Sequence, residues 1–192
     1  MHIRFPHLSA LATTLGIAAL ALPTTAAPPK PIHHPAPSAP IVRMMTTKGL
    51  ILIKLYPKDA PVTVANFEKL VKKGFYNGLT FHRVGNAEDD QAPPGIAQGG
   101  DPLGNGQGGP GYMIKGEFKL NGVNNPLTHV AGAVAMARAG DPNSAGSQFY
   151  ICSKPVHNLD GSYAVFGMVI KGLDVASRLK VGDKMTKVTM AK

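Results

Sequence analysis

An amide, a phenol and a thiol recur two residues apart at Gln148, Tyr150 and Cys152, with Phe149 and Ile151 between them. Successive side chains of a strand point to opposite faces. This spacing therefore predicts one apolar face and one face that presents an amide and a phenol. The outer face of an ordinary barrel strand fits the same residues. Ser144 and Ser147 have His129 and His157 within reach along the chain, the raw material of nucleophilic hydrolysis, but neither serine sits in a G-x-S-x-G elbow. Gly104-Asn-Gly-Gln-Gly-Gly109 spells G-x-G-x-x-G. Pro110-Gly111 follows where a helix would have to begin, which excludes dinucleotide binding and leaves a tightly folded glycine loop. His33-His34 has no further ligand nearby, and Cys152, the only cysteine, allows no internal disulfide and reads as a small half-buried apolar residue.

The elements that position these residues are legible around them. Ala131 to Ala137 and Ser147 to Cys152 read as central strands, flanking a loop rich in Gly, Asp-Pro and Asn-Ser turn formers. Upstream, Ile41 to Thr47 and Leu50 to Tyr56 form a hairpin about Lys48-Gly49. A helix opens at Asp59-Ala-Pro61 with Val64, Phe67, Leu70 and Val71 on one face, and Lys72-Lys73-Gly74 ends it. Asn77-Gly78 turns into a strand over Leu79 to Val84, and Tyr163 to Ile170 is a further strand. A second helix covers Gly172 to Lys180, and Met185 to Met190 alternates as a closing strand. Many strands, two helices and no internal repeat predict a mainly β fold, an antiparallel barrel.

The 192 residues suffice for one domain with appendages, and 44% hydrophobic content with 6% aromatics and no tryptophan predicts an aliphatic core. The net charge is +9, and without residues 1–40 there remain 18 basic against 11 acidic residues. These cations are scattered and lack interleaved aromatics, so no nucleic-acid partner is expected. Residues 1–26 read as a secretory signal, with an uncleaved anchor as the alternative: Arg4, an apolar run from Leu8 to Leu22, and Thr24-Thr-Ala26 before a cut. Six prolines mark residues 27–40 as an extended linker, which leaves 41–192 as the domain. The expected product is periplasmic or secreted, without stable membrane insertion after cleavage.

Met136-Ala-Arg-Ala-Gly-Asp-Pro-Asn-Ser-Ala-Gly-Ser-Gln-Phe-Tyr-Ile151 resembles the cyclophilins, the peptidyl-prolyl cis-trans isomerases, almost letter for letter. Further pieces follow in that family's order. They are Thr63-Val-Ala-Asn-Phe67, Gly74-Phe-Tyr-Asn-Gly78, Phe81-His-Arg-Val84, Gln98-Gly-Gly-Asp-Pro102, Gly108-Gly-Pro-Gly-Tyr112, Glu117-Phe118, Leu159-Asp-Gly161 and Val165-Phe-Gly167. The resemblance implies an eight-stranded antiparallel β-barrel closed by two α-helices and an enzyme that isomerises Xaa-Pro bonds. It implies no cofactor or metal. The expected partners are proline-containing polypeptides, unfolded or partly folded exported proteins, handled by a monomer.

By the same resemblance Arg83 is the catalytic donor, and Gln98 acts with it on the substrate backbone, as does Gln148. Ile96, Met136, Tyr150 and Leu159 are expected around the proline ring, and Phe81 is a further expected substrate contact. Ala137, Arg138 and Ala139 line the adjoining groove, and Tyr163 stands where the family often has His or Tyr. Gly95 replaces a usual Phe, Tyr150 adds a hydroxyl to another, and Asn158 stands where several relatives carry Trp. The connection from Val84 to Gln98 is about seven residues longer than the family pattern and carries Glu88, Asp89 and Asp90, a solvated loop or an acidic gate for basic peptides. The alternative function is a peptide-binding chaperone on the same scaffold with weak or no isomerase activity.

Overall fold

The computed structural model describes residues 39–85 and 92–191, which belong to one compact unit. The expected signal peptide (1–26), nearly all of the expected linker (27–40), and Glu88, Asp89 and Asp90 lie outside the described residues. Eight strands form one antiparallel sheet: β1 (Ile41–Thr46), β2 (Gly49–Leu55), β3 (Phe81–Val84), β4 (Ile96–Gly99), β5 (Ala133–Met136), β6 (Phe149–Cys152), β7 (Val165–Lys171) and β8 (Met185–Met190). Their order across the sheet is β3-β4-β6-β5-β7-β2-β1-β8. The sheet curls until its two edges meet. Thr80 bridges Lys184, Gly78 N–H donates to the Met185 carbonyl at 2.7 Å, and Phe81 N–H donates to the Asp183 carbonyl at 2.8 Å. The expected eight-stranded barrel with two helices is present.

Helix α1 (Pro61–Lys72) contributes Val64, Phe67, Leu70 and Val71 to the main core, the face its spacing predicts. Ala60 at its N-cap offers no side-chain acceptor, so the first free N–H groups go to a distant carboxylate. Val62 and Thr63 donate to the two oxygens of buried Glu117, at 3.0 and 2.8 Å. That bond ties the Glu117-Phe118 segment to the helix. Helix α2 is shorter than expected, Leu173–Ser177, because Gly172 enters it in a left-handed conformation and Arg178 and Leu179 already make tighter three-residue bonds.

Alternation along β6 separates two cores. Phe149 and Ile151 face the barrel interior with Phe67, Phe81 and Phe166, and Tyr150 and Cys152 face an outer cluster with Ile96, Ala133, Ala135, Val156 and Val165. Cys152 is fully buried there, and burial pushes its thiol up to about 12, so it is an unreactive packing residue.

Candidate functional site

Strand pairing assembles the polar side of the site. Arg83 on β3 lies opposite Gln98 on β4, and Gln98 lies opposite Tyr150 on β6. Arg83 Nη1 donates to Gln98 Oε1 at 3.4 Å. Gln98 Nε2 donates to Gln148 Oε1 at 2.9 Å, and Gln148 Nε2 donates to the carbonyls of Gly106 and Gly108, both at 2.9 Å. A guanidinium and two amides thus stand in one hydrogen-bonded row whose far end is fixed to the glycine loop. These residues, with Ala137, Arg138 and Ala139, line a groove of about 990 Å³.

That loop is organised by Asp101, whose carboxylate accepts N–H bonds from Leu103 at 2.8 Å, Asn105 at 3.0 Å and Gly106 at 2.5 Å. Burial opposes the charge on Asp101. The backbone donors together outweigh it and hold the carboxyl below its usual range. On the opposite rim Asn66 of α1 donates to the Gly146 carbonyl at 2.7 Å and accepts the Tyr112 hydroxyl at 2.7 Å, so the helix holds both the β5–β6 loop and the Tyr112 wall. His82, Tyr112, Met113, Ser144 and Val181 also line the groove and were not anticipated. Alternation offered a signal for His82 but not for Val181, which arrives from the α2–β8 connection. Both ring nitrogens of His82 are buried, with the Gln148 side chain beside them. Burial holds its pKa below the ordinary imidazole value, with Asp101 opposing.

The residues expected on the apolar side lie in the outer cluster, and of them only Ala137 lines the groove. Ile96 and Tyr150 are buried, with Ala137, Leu159 and Tyr163 packed partly exposed against the same cluster. Tyr163 stands edge-on to Tyr150, ring centroids 5.9 Å apart at 82°. Two expected contacts are corrected. Phe81 and Met136 are 0% and 1% exposed and belong to the barrel interior, so they support the site from behind. For Phe81 the cause is a register shift between Phe81 and Arg83, which turns one inward and the other outward although they are two residues apart. Met136 follows alternation with inward Val134, while Ala135 and Ala137 face out.

Arg138 lines the groove where it was expected and has a structural part as well. Its guanidinium donates to the Ser162 carbonyl from Nε and Nη2, at 3.2 and 3.1 Å, and to the Ala139 carbonyl at 2.8 Å. It also lies over the rings of Phe118 and Tyr163, 5.2 and 4.7 Å from their centroids. It therefore clips the β5–β6 loop to the Tyr163 segment. Gly95 has a structural reason as well. The long β3–β4 connection leaves at Gly85 and returns at Gly95, whose N–H donates to the Gly85 carbonyl at 3.0 Å. Gly95 has φ +90°, and a Cβ there would sit 3.0 Å from the Cβ of Lys154. A phenylalanine does not fit this neck without moving the backbone.

Ser147 gives its hydroxyl to the Gly100 carbonyl at 2.7 Å and Ser144 gives its own to the Asp141 carbonyl at 2.5 Å, so among the described residues neither serine hydroxyl donates to an imidazole. What remains is a row of fixed donors in the groove, with the cluster of Ile96, Tyr150, Leu159 and Tyr163 on the outer face of the same sheet. That combination suits an extended polypeptide whose backbone is held on one side and whose apolar ring is buried on the other. The comparisons agree. The family model for cyclophilin-type peptidyl-prolyl cis-trans isomerases matches residues 41–192, and the chain belongs to that enzyme family. It is 50% identical over 138 residues to peptidyl-prolyl cis-trans isomerase B of Bacillus subtilis (strain 168), covering 72% of this chain and 88% of that protein. Against a Helicobacter pylori (strain ATCC 700392 / 26695) peptidyl-prolyl cis-trans isomerase it is 43% identical, over 76% of this chain and 83% of that one. A solved Cryptosporidium parvum cyclophilin, crystallised in the presence of the dipeptide Ala-Pro, superposes with a TM-score of 0.67 at 27% identity, covering 79% of this chain and 99% of the other. A cyclophilin from Hirschia baltica gives 0.65 at 29% identity, covering 78% and 73%.

Proposed function

We propose that this enzyme isomerises Xaa-Pro bonds of exported polypeptides, with Arg83 as the catalytic donor, Gln98 and Gln148 as the substrate-backbone holders, and Ile96, Tyr150, Leu159 and Tyr163 around the proline ring. The barrier it lowers is the loss of amide conjugation at the twisted midpoint, which makes the unaided reaction take tens to hundreds of seconds. At that midpoint the prolyl nitrogen becomes pyramidal and regains a lone pair. A guanidinium directed at that nitrogen binds the twisted state better than either planar isomer, and it stays charged at any working pH. Fixing the donor in advance removes the reorganisation that water would need. The observation that carries this reading is the row Arg83–Gln98–Gln148, which sets a permanent cation at a fixed distance from two backbone-binding amides.

Export rests on the sequence of residues 1–26, a short basic start followed by an apolar run and small residues. Cell fractionation with sequencing of the mature N-terminus tests it: the expected product begins at Ala27, and retention of Met1 in the cytoplasmic fraction would overturn it. The enzymatic part is tested by a protease-coupled peptide assay on the purified protein, in which cis-to-trans conversion must become faster in proportion to enzyme concentration. Retarded aggregation of an unfolded client with no change in isomerisation rate would favour the chaperone reading instead.

A further inference from the structure

The buried face of Tyr150 carries a hydrogen-bond chain that the reaction just described does not use. Its hydroxyl lies 2.9 Å from Nε2 of His129, and Nδ1 of His129 lies 2.8 Å from Oδ1 of Asp160, which also accepts the His129 backbone N–H at 2.7 Å. His129 is 0% exposed and Tyr150 3%. An ionised carboxylate only accepts, so Nδ1 must carry the imidazole proton, Nε2 must accept, and the Tyr150 hydroxyl must donate. One tautomer satisfies all three groups. Burial keeps the imidazole neutral, the Asp160 bond opposing it, and the tyrosine is shifted upward by its own burial. The two rings stack 5.9 Å apart at 13°, and Tyr163 stands edge-on to both. Asp160 follows Leu159 directly and binds Nδ1 of His157 at 2.8 Å, so one carboxylate is tied to Tyr150 through His129 and to Leu159 through the chain.

We propose that His129 and Asp160 are positioning residues of the isomerase site, which fix the Tyr150 ring through its hydroxyl where the proline ring lands. This rests on the reading of Tyr150 as a proline contact. Tyr163 packs edge-on against one side of the Tyr150 ring, while Val84 to Gln98 holds no aromatic residue and position 158 is an exposed Asn, so no ring from those segments wedges it. A directed bond does the same work here. It acts on ground-state and transition-state binding alike, so its loss appears in KM and leaves kcat nearly unchanged.

The experiment is a double-mutant cycle on the full chain, with kcat and KM measured for a Xaa-Pro peptide in wild type, Tyr150→Phe, His129→Leu and the double variant. Each single variant is expected to raise KM by about tenfold or less with kcat within about twofold, the size of one neutral hydrogen bond, and the double variant is expected to be no worse than the poorer single. Asp160→Asn retains an oxygen for the His129 N–H groups and should recover most of the KM that Asp160→Ala loses; this pair decides the matter should His129→Leu fail to fold. Multiplying effects of Tyr150→Phe and His129→Leu, or equal damage from Asp160→Asn and Asp160→Ala, would overturn the proposal. Tyr150→Ala separates it from the reading beneath. If that variant leaves KM unchanged, Tyr150 is no proline contact and both fall; if KM rises while the cycle shows no coupling, only the positioning role falls.

Discussion

Replacing Asp101 by Asn should damage both the stability and the substrate affinity of this enzyme. The carboxylate is 1% exposed and holds three backbone N–H groups, and the loop it shapes supplies the two carbonyls that fix Gln148. In the better of its two flips an asparagine keeps its oxygen on Asn105 and Gly106 and turns its NH2 group against the Leu103 N–H. One charge-assisted bond is then lost and two become neutral, together about 3 kcal/mol. For a domain of this size that corresponds to a fall in melting temperature of roughly 6–12 °C. Gln148 loses its fixed acceptors, so kcat/KM should also fall by about tenfold, one hydrogen bond's worth. Thermal unfolding by circular dichroism and the protease-coupled assay read the two effects. A melting temperature within about 2 °C of wild type would refute the assigned role of Asp101. Gly108→Ala perturbs the same site from the other side, because a Cβ there overlaps Oδ1 of Asp101.

Acid should weaken the fold before any carboxylate titrates. His82 and His129 both have pKa values lowered chiefly by burial. The unfolded imidazoles take up protons below about 6.5 while the folded ones do not, so their contribution is full above that pH and declines as pH falls through it toward the folded values. Melting temperatures between pH 8 and 5 check this, and a flat profile contradicts it. Gly95→Ala forces a side chain onto φ +90° against Lys154 and should destabilise by about 1–2 kcal/mol; denaturant unfolding with no change in midpoint would show that the neck tolerates a side chain. Asn158 is exposed and offers neither ring area nor an indole donor. Cyclosporin, the macrocycle associated with this family, should therefore bind weakly, and Asn158→Trp should tighten it by up to about a hundredfold in an inhibition titration, roughly 3 kcal/mol. Nanomolar inhibition of the unmodified protein contradicts that expectation.

The parts of the fold legible in the sequence are those set by local pattern. The β1–β2 hairpin, the apolar face of α1 and the strand β8 follow from alternation, helical spacing and turn residues alone. β4 was not legible, because Pro93-Pro94-Gly95 before it and Gly99-Gly100 after it leave only Ile96, Ala97 and Gln98 with strand character, and it is completed by pairing with β3 and β6. In the site, Arg83, Gln98 and Gln148 stand together as the resemblance implied, whereas the inward turn of Phe81 depends on a register shift that no local pattern announces. The need of a buried Tyr150 hydroxyl for a partner was readable. Its identity was not, since His129 lies 21 residues before Tyr150 and 31 before Asp160. The clip formed by Arg138 likewise joins Phe118, Ser162 and Tyr163, which only the closed barrel brings together.

The measurement that bears most directly on the account is the isomerase efficiency of Arg83→Ala beside its folding. Loss of a preorganised transition-state donor is worth roughly 3 kcal/mol, so kcat/KM should fall by about two orders of magnitude while circular dichroism and melting temperature stay near wild type. A folded variant that keeps most of its activity would contradict the assignment of Arg83 as the group that stabilises the twisted bond.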